Sequence, residues 1–168
     1  GPTPLTTPVK VERVDVRSAE AMALAMAELW STTDAVIMSA AVADYRPTVV
    51  SSEKLKKGSG ELSLPLERTR DILAELGARD DRSEKLLVGF AAETGQVAQR
   101  AQDKLLRKGL DWIIANDVSG AQIGFGAGDN AGILIGRAGE TIQLERMSKP
   151  DFADTNIDHL SASLRGAP

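Results

Sequence analysis

The stretch "KLLVGFAAE" (residues 85–93) decides the fold, because between its terminal lysine and glutamate it is apolar or glycine without a break. A strand with one wet face alternates apolar and polar residues, whereas a strand covered on both faces does not. The run therefore reads as a buried strand that finishes at Glu93. "AVIMSAAVAD" (residues 35–44) reads the same way, as a buried parallel strand ending near Asp44, and "DWIIAND" (residues 111–117) as a third.

Helical patterns separate these runs. Ser18 is placed to cap "SAEAMALAMAELW", where Met22, Ala25, Met26 and Leu29 share one stripe. "TRDILAELGAR" reads as a short helix with Thr69 as cap and Gly77 near its end. "GQVAQRAQDKLLRKG" reads as a helix stopped by Gly109. At the front, "VKVERVDV" (residues 9–16) alternates and reads as a strand. "ELSLPLE" also alternates, but its proline favours an edge or extended segment. "GILIG" and "TIQLER" flank "RAGE" as a hairpin, and "KPDFADTNIDHLSASL" closes the chain as a helix. Strand and helix in turn, with continuous apolar strands, imply an α/β fold. Its expected form is a mostly parallel sheet, helices on both faces and a C-terminal β-hairpin. With no internal repeat or interdomain linker, the 168 residues suit one domain, since domains run roughly 100–200 residues.

Composition narrows the chemistry. Hydrophobic residues make up 42% and charged residues 26%, ordinary for a globular protein, while aromatics are only 4%, so the core must be built from Ala, Val, Ile and Leu. The absence of cysteine excludes disulfides, thiolate metal sites and a cysteine nucleophile. A single histidine, His159, argues against a Ser-His-Asp triad or a multi-histidine metal site. No apolar run approaches the ~20 residues of a membrane span, and no signal-peptide pattern opens the sequence. A net charge of −4 argues against a general nucleic-acid binder. The expected location is cytoplasmic, with no membrane and no nucleic-acid partner.

In open α/β sheets, ligands bind beyond the carboxyl ends of the strands. Asp44, Glu93, Asn116 and Asp117 each stand where an apolar run stops. Positive charge gathers in two places. Val97, Ala101, Lys104 and Lys108 share a helical stripe with Leu105 beside them, so the stripe starts apolar and ends cationic. "SSEKLKKGSG" (residues 51–60) sets three lysines, Lys54, Lys56 and Lys57, among serines and glycines too soft to bury a face. The plain readings are helix-end complementation and a solvated loop. The sharper reading is a set of five lysines around a polyanion, with residues 48–60 as a mobile flap. "GFGAGDNAG" leads into a strand and reads as a turn, and neither GxxxxGK[ST] nor a strand-borne GxGxxG occurs.

The strings "MSAAVADYRP", "EKLKKG", "LERTRDIL", "VGFAAET", "KLLRKGLDWIIANDVS", "GFGAGDN" and "LER" occur in that order. On these the chain resembles the phosphopantothenoylcysteine synthetase family (phosphopantothenate–cysteine ligase), often the C-terminal half of a bifunctional coenzyme A biosynthesis protein. The resemblance implies a three-layer Rossmann-like fold and a CTP-dependent ligase. It would join 4′-phosphopantothenate to cysteine through an acyl-cytidylate, releasing pyrophosphate and then CMP. It further implies Mg²⁺ with the CTP, a homodimer, and a possible fused phosphopantothenoylcysteine decarboxylase domain. FMN is expected only with that fused domain.

Carried over by position, Lys54 matches the catalytic lysine of the family's flap and also binds nucleotide. Met38, Ser39, Ala40, Asp44, Thr69, Arg70, Asp71, Ile72, Phe90, Lys104 and Lys108 match nucleotide-binding positions, with Asp44 also matching the metal position. The family commonly shows Asn-Pro where Thr69-Arg70 stands here, so backbone contacts are the ones expected there. The family also opens with a strand, glycine-rich turn and helix bearing a catalytic asparagine, and "GPTPL" resembles the point just after that unit. An N-terminally truncated synthetase domain is therefore expected. The competing functions are a catalytically silent fragment that binds CTP or dimerises, and a dinucleotide-dependent oxidoreductase.

Overall fold

The computed structural model describes residues 3–56, 61–93, 95–117 and 128–165. The chain divides into two compact units, one made of Gly1–Ser31 and Ala41–Ile72, the other of Thr32–Ala40 and Leu73–Pro168.

The second unit holds a five-stranded sheet. Its strands are β1 (Ala35–Met38), β4 (Leu86–Glu93), β5 (Trp112–Asp117), β6 (Asp129–Gly136) and β7 (Thr141–Ser148), side by side in that order. β1, β4 and β5 are parallel, with Met38 opposite Gly89 and Ala92 opposite Asn116. β6 and β7 add antiparallel, so the sheet is mixed: three parallel strands and the expected C-terminal hairpin. The continuous apolar runs have the cause inferred for them, since both faces are covered. On one face Val88, Ile114, Leu134 and Leu144 form a core with Phe152 and Leu160 of helix α4 (Lys149–Arg165). The alternate residues Leu87, Ile113 and Ala115 are also buried, as are Ala101 and Leu105 of helix α3 (Val97–Arg107), which packs along β4 and β5. Gly109 ends α3 at φ +64, where a side chain would be strained. Away from the carboxyl ends of the strands, Asp111 accepts from the Leu87 N–H at 2.8 Å and from Arg82 at 2.6 Å.

The first unit is built differently. Ser18 caps α1 (Ala19–Leu29) as expected, its hydroxyl oxygen accepting from the Ala21 N–H at 3.1 Å. The buried stripe is shifted, however: Leu29 is 41% exposed, and Trp30 takes the inner position in the 3₁₀ turn that follows. A tighter turn advances each side chain further around the axis, which moves the last contact by one residue. Residues 9–16 form no strand. Val9, Val11 and Val14 are all exposed and Lys10 has φ 64, so the alternation there lacks the neighbouring strand that gives such a pattern its meaning. Strands β2 (Tyr45–Pro47) and β3 (Leu66–Arg68) pair as a small antiparallel ladder. Only the end of "ELSLPLE" thus becomes strand, after its proline.

Two expectations near the first parallel strand need correcting. β1 stops at Met38, so Asp44 stands six positions later in a loop, not at a strand's exit. Alanine-rich sequence is apolar without having to be buried, and residues 39–41 are exposed. Helix α2 (Ile72–Gly77) begins after Asp71, and the Thr69 hydroxyl donates to the Ala43 carbonyl instead of standing at the helix start.

Candidate functional site

The expected site residues fall into two groups, one in each unit. In the sheet unit, the carboxyl ends of β1, β4 and β5 lie along one edge, because the three strands are parallel and adjacent. Met38 ends β1 and is half-buried, while Ser39 and Ala40 follow it in the open. Their neighbour strand carries Phe90 on the core face covered by α4. Glu93 and Asp117 are register partners at the same edge, one step beyond Ala92 and Asn116.

The α3 stripe turns out as its spacing implied. Ala101 and Leu105 are fully buried, Val97 is half-buried, and Lys104 and Lys108 on the same side are half-buried as well. Lys104 donates from Nζ to the Phe90 carbonyl at 3.0 Å. Packing of the helix thus fixes where this ammonium stands, and one of its three N–H groups is used by β4. Lys108 caps the helix C-terminus with its backbone, its N–H donating to the Lys104 carbonyl at 3.0 Å. A cation there also complements the negative end of the helix dipole.

In the other unit, backbone hydrogen bonds join two of the expected positions. The Thr69 N–H donates to the Asp44 carbonyl at 2.9 Å, beside the hydroxyl bond to Ala43. The Asp44 side chain is exposed. Arg70 pairs with Glu20 of α1 at 3.2 Å, in a geometry exposed enough to contribute little to stability. Asp71 is exposed and Ile72 is buried. Lys54 is exposed on the connection between β2 and β3, whose base is closed by the Thr48 N–H on the Pro65 carbonyl at 3.1 Å. Within that connection, Ser51 and Glu53 make a local turn. Lys57, Gly58 and Gly60 of the expected flap lie outside the described residues, as does most of the glycine-rich turn at 124–128.

Sequence reading passed over two buried polar residues, Asn130 and Asn156. Asparagine is common in turns and helix surfaces, so nothing in its neighbours' composition marked these two as interior. Among the described residues, no group of three or more potential metal-ligating side chains occurs, and no helix is long and apolar enough to cross a membrane.

Comparison with known proteins gives this arrangement a lineage. Residues 1–164 match the family model described as the DNA/pantothenate metabolism flavoprotein C-terminal domain. The coenzyme A biosynthesis bifunctional protein CoaBC of Bacillus subtilis (strain 168) is 40% identical over 163 residues, covering 96% of this chain and 40% of that protein. The protein of the same name from Haemophilus influenzae is 44% identical over 160 residues, covering 95% of this chain and 39% of its own length. The chain therefore spans about two-fifths of the curated relatives it matches. Among solved structures, the C-terminal domain of a coenzyme A biosynthesis bifunctional protein CoaBC superposes with a TM-score of 0.80 at 35% identity. That match covers 99% of this chain and 72% of the other. The Rossmann-like α/β sheet is the one that neighbour shares, and the chain belongs to the family of the DNA/pantothenate metabolism flavoprotein C-terminal domain.

Proposed function

We propose that the chain provides the ligase half of a bifunctional coenzyme A biosynthesis protein, joining 4′-phosphopantothenate to cysteine at the expense of CTP. The observation that carries this reading is the cationic end of α3. Lys104 and Lys108 stand half-buried on the helix that packs along β4 and β5, in a family whose named relatives act in coenzyme A biosynthesis. A carboxylate is a poor acyl donor because oxide is a poor leaving group. Attack of the phosphopantothenate carboxylate on the α-phosphate of CTP expels pyrophosphate and leaves an acyl-cytidylate. The cysteine amine then forms the amide and expels CMP.

On this reading Met38, Ser39, Ala40 and Phe90 are nucleotide-binding positions of the sheet unit, and Thr69, Arg70, Asp71 and Ile72 are nucleotide-binding positions of the other unit. Lys104 and Lys108 receive phosphate oxygens as point charges. Lys54 is the catalytic cation, brought to the phosphates as charge develops. Mg²⁺ suits such a site without a dedicated cage, since it binds through one or two carboxylates plus substrate phosphates and water. The exposed Asp44 carboxylate fits that role, and the ion would neutralise phosphate charge. A fused decarboxylase domain belongs to the same proposal, supported by the bifunctional names of the relatives, and a homodimer and a cytoplasmic location are proposed with it.

A second reading is a protein that binds CTP without turning it over. Calorimetric titration with CTP, ATP and NADH, followed by addition of phosphopantothenate, separates the two. Preferential CTP binding with pyrophosphate release is the expected result. CTP binding without release supports the second reading, and preference for NADH overturns both.

A further inference from the structure

On the α4 side of the sheet, three asparagine side-chain oxygens, Oδ1 of Asn116, Asn130 and Asn156, are buried and accept no hydrogen bond among the described residues. Strand register brings two of them to one end of one face. Ile114 pairs with Leu134 in the α4-covered core, and two residues along each strand Asn116 pairs with Gly132. Asn130 lies two further along β6 on the same face, 9% exposed, where a bulge breaks the β6–β7 register between it and Gly132. Between the two amides Gly132 offers no side chain: a Cβ there would stand 3.1 Å from Asn116 Oδ1. Met147, the register partner of Asn130, accepts from the hydroxyl of Thr155 on α4, and Asn156 follows Thr155.

The orientation of Asn156 is fixed by its other end. It is 3% exposed, and its Nδ2 donates to the Phe152 carbonyl at 2.6 Å. Turning the amide over would set oxygen against oxygen, so Oδ1 must face the other way and find its own donor. An unpaired buried acceptor costs a large fraction of a domain's stability, and interiors meet that need with a protein donor or ordered water. Each of the three groups is an acceptor, and water is the small molecule that offers two donors.

We propose that this end of the α4–sheet interface is an internal hydration site, in which ordered water donates to Oδ1 of Asn116, Asn130 and Asn156 and links helix α4 to the carboxyl end of β5. The site goes beyond the proposed function and stands independently of it, on the face opposite α3. It explains why a polar residue, Asn156, is buried about one helical turn from both Phe152 and Leu160 on the core stripe of α4. A crystal structure of the unsubstituted chain, at a resolution that shows ordered solvent, is the direct test. Water within hydrogen-bond distance of at least two of the three oxygens is expected. Protein donors in its place, or dry oxygens, overturn the proposal. Asn130→Leu gives a second readout. Loss of a hydrated acceptor leaves the water short of a partner and lowers the melting temperature by about 3 °C or more. A dry acceptor is better removed, so an unchanged or higher melting temperature contradicts the site.

Discussion

Lys104 and Lys54 carry the same charge on different foundations. Lys104 rises from a helix whose neighbours Ala101 and Leu105 are fully buried, and its ammonium already rests on the Phe90 carbonyl at 3.0 Å. Lys54 is exposed on the connection between two three-residue strands, and residues of both strands are themselves exposed. A charge positioned by core packing is in place before a ligand arrives and contributes to binding. On the proposed function, a charge on an exposed connection would be positioned by the ligand, and its contribution would fall later, as charge develops in the reaction.

The largest effect expected from this contrast is on turnover. Lys54→Gln should cut the rate by about 10²-fold or more while CTP affinity stays within about tenfold. Steady-state pyrophosphate release, set beside calorimetry, checks both numbers. Limited proteolysis gives a further view, with CTP expected to slow cleavage near Lys56. A normal rate for the variant and unchanged cleavage would make Lys54 a solvated charge.

The same contrast appears in stability. Asp111 serves the Leu87 N–H and Arg82 together, with side chains only 26% and 14% exposed for Asp111 and Arg82. Asp111→Ala strands both donors and should cost about 2–4 kcal/mol in denaturant unfolding. Glu67→Ala breaks an equally short pair, Arg46–Glu67 at 2.7 Å, but on the exposed ladder, and should cost no more than about 1 kcal/mol. Equal costs would remove the distinction between the two units.

A smaller effect concerns Asp44. Its backbone carbonyl holds Thr69 while its carboxylate is exposed, so Asp44→Asn keeps the structural contact. Mg²⁺-dependent CTP affinity should fall about tenfold with the melting temperature unchanged. A lower melting temperature with intact affinity would make the residue structural.

Much of the sheet unit was legible because its signals report packing on both sides. The unbroken runs of β4 and β5 and the two-lysine stripe of α3 admit few other arrangements. Residues 9–16 show the converse. Alternation of valine with charge says what a strand would look like, yet pairing needs a neighbour that sequence period does not supply. Asp44 was misplaced for a related reason, since a run of alanine and valine stays apolar after the strand has ended. Asn130 and Asn156 were invisible because their burial is set by α4 docking on the hairpin, a tertiary event without a local pattern.

The central claim is that the α3 lysines are a ready-made anion site, and CTP titration of the chain against its Lys104→Met variant tests it most directly. The account predicts CTP binding by the parent chain, weakened at least about tenfold in the variant, with a melting temperature lowered by no more than about 4 °C. Equal CTP affinity in the two proteins would contradict it.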